Sequence, residues 1–160
     1  MVLTLKLLFL LVVANGAPIL LRKALQARYD WPVDGGSRYF DGRPLLGPSK
    51  TWRGVVAALP ATACAAWAMG LPPGLGVSMG GAAMLGDLCS SFLKRRLGVS
   101  SSGMALGLDQ VPESLFPLLV ARAELGLEPG YIAGVVLAFL VLELALSRLL
   151  FWLRIREQPH

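Results

Sequence analysis

Five apolar segments follow one another along the chain, separated by stretches that are polar or contain glycine and proline. They cover residues 3–21, 54–71, 75–93, 109–127 and 131–153. A helix needs about 20 predominantly apolar residues to cross a bilayer, so the pattern predicts an all-α polytopic protein with five transmembrane helices. The fourth segment is short and carries Arg122 and Glu124. It spans only if it begins near Asp109 and turns its polar side chains toward protein.

The positions of lysine and arginine predict how these helices are oriented. Thirteen of the fifteen basic residues lie between residues 22 and 53 or near the ends of the third and fifth segments. With five helices all thirteen fall on one side, and the positive-inside rule makes that side cytoplasmic. We therefore predict the N-terminus outside, the C-terminus in the cytoplasm and a cytoplasmic loop over residues 28–53.

The first segment also has a second interpretation. Lys6, the apolar run after it and the small residues from Ala14 to Ala17 resemble a cleavable signal peptide. Cleavage would leave four helices and place the C-terminal arginines on the opposite side from the other basic residues. The charge distribution therefore favours five helices and one integral membrane domain over residues 1–160.

Composition agrees with a membrane protein. The 160 residues are 55% hydrophobic and 16% charged, with a mean hydropathy of +0.62, whereas soluble domains average about 25% charged residues. The net charge of +5 does not indicate a nucleic-acid partner, because no soluble segment is long enough to form a nucleic-acid-binding fold. Cys64 and Cys89 both lie in apolar runs, and the single histidine, His160, is the last residue. Neither a disulfide framework nor a zinc site is predicted.

Asp87 stands inside the third apolar segment, where a carboxylate costs at least about 2.5–3.5 kcal/mol. At 100° per residue it shares a helix face with the small residues Gly76, Gly80 and Ala83, which predicts a face packed against other helices. Further along this face come Ser91 and Lys94, followed by Arg95 and Arg96. The pattern predicts a divalent cation on the carboxylate and phosphate groups on the basic residues. A purely structural ion pair between Asp87 and Lys94 is the alternative.

Asp109 is the next carboxylate and opens the fourth segment. Antiparallel helices joined at the cytoplasmic face bring the end of one beside the start of the next, so Asp87 and Asp109 are predicted to share metal ions. Hard oxygen ligands of this kind suit Mg²⁺. The alternative for Asp109 is a helix N-cap. Glu143, in the fifth segment, is predicted to be a buried pairing group without an assigned role.

The loop before the second segment ends in Gly47-Pro48-Ser49-Lys50-Thr51-Trp52-Arg53-Gly54. Its glycines allow backbone amides to approach an anion, and Lys50, Thr51 and Arg53 offer donors at the start of a helix. It is not a P-loop, because that motif has a glycine directly before the lysine. Here Pro48 and Ser49 stand between Gly47 and Lys50. A solvated loop whose cations touch lipid headgroups is the alternative.

Together these motifs resemble the CDP-archaeol synthase family, which belongs with the CDP-diacylglycerol synthases to the membrane CTP:lipid-phosphate cytidylyltransferases. The resemblance rests on Ala14-Asn15 with Pro18, Asp41-Gly42-Arg43, the Gly47–Gly54 stretch, Gly86-Asp87-Leu88 through Arg96, and Leu108-Asp109-Gln110. The His-Gly-Gly element of the diacylglycerol branch is missing, and Gln110 stands where that branch has arginine. The resemblance therefore implies an archaeol-type lipid phosphate, or a related glycerol or isoprenoid lipid phosphate, as substrate.

The reaction implied by the resemblance is transfer of CMP from CTP to the lipid phosphate, which gives a CDP-lipid and pyrophosphate. It implies Asp87 and Asp109 as Mg²⁺ ligands at the cytoplasmic face of the cell membrane, with Lys94 and Arg95 as further catalytic residues. The residues implied in binding CTP and phosphate are Lys50, Thr51, Arg53, Asp41, Asn15, Ser91 and Arg96. A CTP-dependent lipid kinase, which would release CDP, and a non-enzymatic transporter or scaffold are the alternatives. The oligomeric state is left open.

Overall fold

Five α-helices account for most of the chain in the computed structural model, which describes residues 1–99, 105 and 107–152. The helices are α1 (Val2–Leu25), α2 (Trp52–Ala68), α3 (Pro73–Arg96), α4 (Gln110–Leu125) and α5 (Pro129–Trp152). Within the described residues the only β-type pairings are two isolated bridges in the loop between α1 and α2. The prediction of an all-helical chain with five helices is confirmed. Most of the glycine- and serine-rich stretch over residues 98–103, and the basic residues after 152, lie outside the described residues.

The third helix occupies the middle of the bundle, with α1, α2 and α4 packed around it. Glycines make its contact with α2 close. A methyl group added at Gly76 would overlap the backbone of Thr62 and Ala63, and one added at Gly80 would overlap the side chain of Thr62. The face of small residues therefore brings two helix backbones together, as its spacing predicts.

The contact between α3 and α4 is equally close at Gly86. A Cβ atom at this position would overlap the carbonyl group of Pro112 and lie 2.9 Å from the backbone nitrogen of Glu113. Only glycine allows this approach without displacement of one backbone. The residue that follows, Asp87, is consequently held against the first turn of α4.

The first helix contributes fully buried residues to the apolar core. Leu7, Leu10 and Leu11 are fully buried and belong to one cluster with Leu75 and Met79 of α3. The first segment is thus packed into the helical bundle, as the interpretation with five helices requires. The helix also runs four residues beyond its predicted end, to Leu25.

Two helices are suited to crossing a membrane by length and composition among the described residues: α1 over its whole length and α5 over Pro129–Arg148. The 16 residues of α4 are about 24 Å long at ~1.5 Å per residue, less than the ~30 Å hydrocarbon core of a bilayer. Its polar residues Gln110, Glu113 and Ser114 are buried and face protein. Arg122 and Glu124, which the sequence required to face protein in a spanning fourth helix, are instead exposed.

We expect Gly86→Ala to lower the free energy of unfolding by at least about 1–3 kcal/mol, because overpacking forces backbones or side chains to shift. Gly81→Ala is the matched control in the same helix, since a Cβ there meets nothing within 4 Å. Alanine is up to about 1 kcal/mol better than glycine in a helix, so this control should be neutral or stabilising. Thermal unfolding in detergent measures both. Equal melting temperatures for the two variants would contradict the close α3–α4 contact.

Candidate active site

Asp87 forms an ion pair with a lysine that comes from outside its own helix. Its Oδ1 lies 2.5 Å from Nζ of Lys50, and both side chains are about four-fifths buried, with 23% and 20% exposed. Lys50 is held in place by backbone hydrogen bonds, because its N–H donates to the Gly47 carbonyl and its own carbonyl accepts from Val33. Lys50, which is predicted to bind phosphate, is therefore paired with Asp87, which is predicted to bind metal.

Lys94 pairs with the second predicted metal ligand. Its Nζ lies 2.7 Å from Oδ1 of Asp109, and the two side chains are 9% and 16% exposed. The alternative Asp87–Lys94 pair is wrong, because each residue finds its partner on another element. Arg95, 5% exposed, is close enough to Asp109 for a favourable electrostatic interaction.

The capping interpretation of Asp109 is not what the structure shows. The residue occupies the N-cap position of α4, but its side chain makes no capping hydrogen bond. Instead Oδ2 accepts a long hydrogen bond of 3.4 Å from the backbone of Ala105, and Oδ1 faces Lys94. The carboxylate is thus directed toward the end of α3.

Glu113 is a third carboxylate at this place, and the sequence reasoning did not assign it a role. It is 8% exposed and lies within hydrogen-bonding reach of the Asp87 side chain, with Glu143 of α5 nearby. The close approach at Gly86 puts it there. A signal was available in the sequence, because Glu113 follows Asp109 by four residues, one helical turn, and so shares its face.

Ser91 lies between these two ion pairs on the same helix, one turn beyond Asp87 and one turn before Lys94. The residue is 1% exposed, and its Oγ has no hydrogen-bond partner among the described residues. A buried hydroxyl without a partner is costly. This hydroxyl is available to donate to a ligand oxygen.

The carboxylates fit a hard divalent cation. Asp87 and Glu113 approach each other with one nearby lysine to balance them, and carboxylate oxygens are what Mg²⁺ prefers. Within the described parts of the chain, no three acidic residues converge to form a complete metal site. Mg²⁺ usually keeps several waters and binds substrate phosphates, so an incomplete protein shell of this kind suits it.

Arg53 lies elsewhere in the structure, and its guanidinium group is largely used by the fold. It is 7% exposed and donates to the carbonyls of Gln26 at 2.7 Å and Arg28 at 2.5 Å, and to Oδ1 of Asp30 at 2.7 Å. Gln26 has a φ of 50°, which is unfavourable for a residue with a side chain. Arg53 thus stabilises the sharp reversal of the chain after α1.

Arg96 and Asp41 pair with each other at the outer edge of the site, at 2.5 Å. The Arg96 guanidinium also lies 4.6 Å from the ring centre of Tyr39 and 5.2 Å from that of Phe92. Arg43 donates to the Arg96 carbonyl at 2.6 Å, at the end of α3, where carbonyls lack helical partners. These contacts fasten the loop to α3.

The other two predicted binding residues make local contacts. The side-chain amide of Asn15 donates to the Leu11 carbonyl one turn earlier, at 2.9 Å, and Thr51 occupies the N-cap position of α2 without a side-chain capping bond. The structure therefore separates the predicted site residues into two groups. Asp87, Asp109, Lys94, Arg95, Lys50 and Ser91 lie together along the end of α3, and Asn15, Asp41, Thr51, Arg53 and Arg96 make helix-end, intrahelical or loop contacts.

Asp34 organises the loop that carries Lys50. Its carboxylate accepts hydrogen bonds from the backbone of Gly36 at 3.0 Å, Leu46 at 2.9 Å and Gly47 at 3.1 Å. Burial alone would raise the pKa of Asp34, but the hydrogen bonds from these backbone N–H groups outweigh it, and the pKa lies below its usual value. Gly47 in turn accepts from the backbone of Lys50, so Asp34 supports the position of that lysine.

This fold and this site define the class of protein: a helical membrane enzyme with paired carboxylates and cations at one end of its bundle. A family model described as CarS-like CDP-archaeol synthase matches residues 73–160. The CDP-archaeol synthase of Hyperthermus butylicus is 39% identical over 85% of this chain and 80% of its own length. That of Pyrobaculum calidifontis is 32% identical over 95% and 96%. The chain belongs to the CDP-archaeol synthase family.

A solved structure agrees with this assignment. It is described as an intramembrane enzyme for archaeal membrane lipids biosynthesis, is 34% identical, and superposes with a TM-score of 0.75 over 89% of this chain and 90% of the other. The family and the enzyme class predicted from the sequence are confirmed. The protein is a membrane enzyme with lipid cytidylyltransferase activity.

The lowered pKa of Asp34 predicts a pH-dependent contribution to stability. A carboxylate whose pKa is lower in the folded state stabilises the fold above its unfolded value of 3.8, and this contribution is lost as the pH falls through the folded value. Asp34→Asn resembles the protonated acid. At neutral pH it should therefore cost about 1 kcal/mol, given that charged hydrogen bonds are worth ~1.5–3 kcal/mol and this one is partly screened by water.

Melting temperatures of wild type and Asp34→Asn should accordingly converge as the pH is lowered below 3.8. Glu128→Gln, which alters an exposed carboxylate, is the control and should not differ from wild type at neutral pH. A difference between wild type and Asp34→Asn that stays constant across this range would show that the charge of Asp34 does not stabilise the loop.

Proposed function

We propose that the protein transfers CMP from CTP to an archaeol-type lipid phosphate, with release of pyrophosphate. The names of its relatives, CDP-archaeol synthases, support both substrates. The observation that carries the proposal is the pairing of two partly buried lysines with two carboxylates where α3 meets α4. Cations and carboxylates held side by side suit a reaction in which metal ions and several phosphates meet.

Lys50, Lys94 and Arg95 bind the phosphate groups of the two substrates. Each is at least four-fifths buried, so their charges act in surroundings of lower dielectric than water, where electrostatic interactions are stronger. The Ser91 hydroxyl donates a hydrogen bond to a phosphate oxygen, which supplies a partner that none of the described residues provides.

The chemical step exchanges one bond to phosphorus for another. An oxygen of the lipid phosphate attacks the α-phosphorus of CTP, the bond from that phosphorus to the bridging oxygen breaks, and pyrophosphate departs with the electron pair. The attacking phosphate is already ionised, so no side chain has to remove a proton or act as nucleophile. Catalysis then consists of aligning two anions and neutralising their charge.

Asp87 and Asp109 hold Mg²⁺ in this proposal, and Glu113 is a further carboxylate beside Asp87. Magnesium bound there supplies positive charge to the phosphates, which lowers their mutual repulsion and stabilises the charge that develops on transfer. The lysines and Arg95 act on the same phosphate charge. Glu143 of α5 lies near Glu113 and adds negative charge beside it.

The orientation in the membrane forms part of the proposal. We infer five membrane-spanning helices with the N-terminus outside and the C-terminus and site at the cytoplasmic face. Basic residues support this, because Arg22 and Lys23 lie in the last turn of α1 and three more lie in the last turn of α3. Both helix ends adjoin the loop between α1 and α2, so these charges collect at one end of the bundle.

Purified protein with CTP, Mg²⁺ and archaeol-type lipid phosphate should form a CDP-lipid and pyrophosphate in equal amounts. Labelled CTP with separation of lipid and water-soluble products measures this, and ATP in place of CTP should give little product. Release of CDP with a diphosphorylated lipid would identify a lipid kinase instead. Absence of any nucleotide-dependent lipid product would contradict the proposal.

Sealed vesicles extend the same assay to the orientation of the site, because CTP does not cross a bilayer. Inverted membrane vesicles expose the cytoplasmic face and should form product without detergent. Right-side-out vesicles should do so only after permeabilisation. The reverse result would place the site on the outer face.

Asp87→Asn and Asp109→Asn should each lower turnover at least about 100-fold, which corresponds to ~2.7 kcal/mol of barrier. Asparagine keeps the size of the side chain but lacks the negative charge that a hard cation requires. Glu124→Gln, an exposed carboxylate on α4, is the matched control and should remain active. Melting temperatures show whether each variant is folded. A folded Asp87→Asn protein with near-normal turnover would exclude this carboxylate as a metal ligand.

A further inference from the structure

Each of the two ion pairs joins a cation assigned to phosphate with a carboxylate assigned to metal. We propose that Lys50 and Lys94 are internal counter-ions, which exchange partners when substrate arrives and so make the divalent cation and the triphosphate bind cooperatively. This inference rests on the proposed function and concerns how the same site is filled. It follows from the crossed arrangement, in which Lys50 of the loop pairs with α3 and Lys94 of α3 pairs with α4.

Partner exchange follows from the burial of the pairs. The Lys94 and Asp109 side chains are 9% and 16% exposed, so little water can replace a lost partner. A divalent cation that binds Asp87 alone displaces Lys50 and removes the carboxylate that balances its charge. Breaking a buried pair from one side is strongly unfavourable, because an uncompensated charge stays behind.

A triphosphate that binds alone meets the opposite difficulty. It draws Lys50 away from Asp87, and Asp87 then stands beside Glu113 without its counter-ion. When both ligands arrive, each carboxylate receives the metal and each lysine receives a phosphate. By thermodynamic linkage, each ligand then raises the affinity for the other by the same factor.

The two lysine–carboxylate pairs consequently disfavour the binding of a single ion. This matters for an enzyme of this kind, because metal alone or pyrophosphate alone is a poor occupant. Two lysines that each exchange a carboxylate for a phosphate would favour filling by metal and nucleotide together.

The test measures metal binding in the absence of nucleotide, with Mn²⁺ as the probe and the loss of its free EPR signal as the readout. Lys50→Met removes the competitor for Asp87, so Mn²⁺ alone should bind at least about fivefold more tightly than to wild type, the lower end of typical coupling between ligands. Lys23→Met is the matched control, because Lys23 is an exposed lysine of α1, and it should bind Mn²⁺ as wild type does.

Lys94→Met provides a second, independent measurement through Asp109, and melting temperatures without metal show whether each variant is folded. In wild type, Mn²⁺ with CTP should raise the melting temperature by more than the sum of their separate effects, and Lys50→Met should reduce this excess. Folded lysine variants that bind Mn²⁺ alone no more tightly than wild type would overturn partner exchange. A wild-type protein that forms CDP-lipid in that case would leave the proposed function standing.

Discussion

The way the loop, α3 and α4 meet depends on pairing each charged side chain in a site that has little contact with water. Two carboxylates and two lysines lie along the end of α3 with little exposure to water, and no one of these charges is tolerable there without a partner. Their pairing decides how the loop, α3 and α4 meet, because Lys50, Asp87, Lys94 and Asp109 come from these three elements. The helix ends are consequently tied to one another by the groups that the chemistry requires.

This balance depends on unusually close backbone contact. Gly76 and Gly80 bring α3 onto α2, and Gly86 brings it onto the first turn of α4. At a normal helix separation the carboxyl group of Glu113 would not reach Asp87. Small residues are the usual means of close helix approach in membranes, where no hydrophobic effect drives helices together. Packing and electrostatics are therefore linked, because the glycines set the distances at which the charged groups pair.

Sequence reasoning foresaw the five helices and the small-residue face of α3. Those features follow from the spacing of apolar and small residues and from the distribution of lysine and arginine, which can be read from the sequence without knowing any tertiary contact. Sequence reasoning did not foresee which lysine pairs with which aspartate. Asp87 and Lys94 share a helix face at a spacing of seven, yet Lys50 and Asp109, distant in sequence, are the partners that folding supplies. Glu113 was missed for the same reason, since its contact with Asp87 exists only because Gly86 admits α4 so closely.

The arginines show how the fold limits which residues are available to substrate. Arg53 holds the carbonyls that follow α1, and Arg43 holds those at the end of α3. Carbonyls at a helix C-terminus lack partners and carry partial negative charge, so cations stabilise them. Arg96 is likewise engaged by Asp41 and two aromatic rings. Residues that a motif would assign to triphosphate thus hold the loop in place, and that loop delivers Lys50 to Asp87. Part of this motif therefore contributes to substrate binding indirectly. The arginines hold the loop that positions Lys50, and they need not touch the substrate themselves.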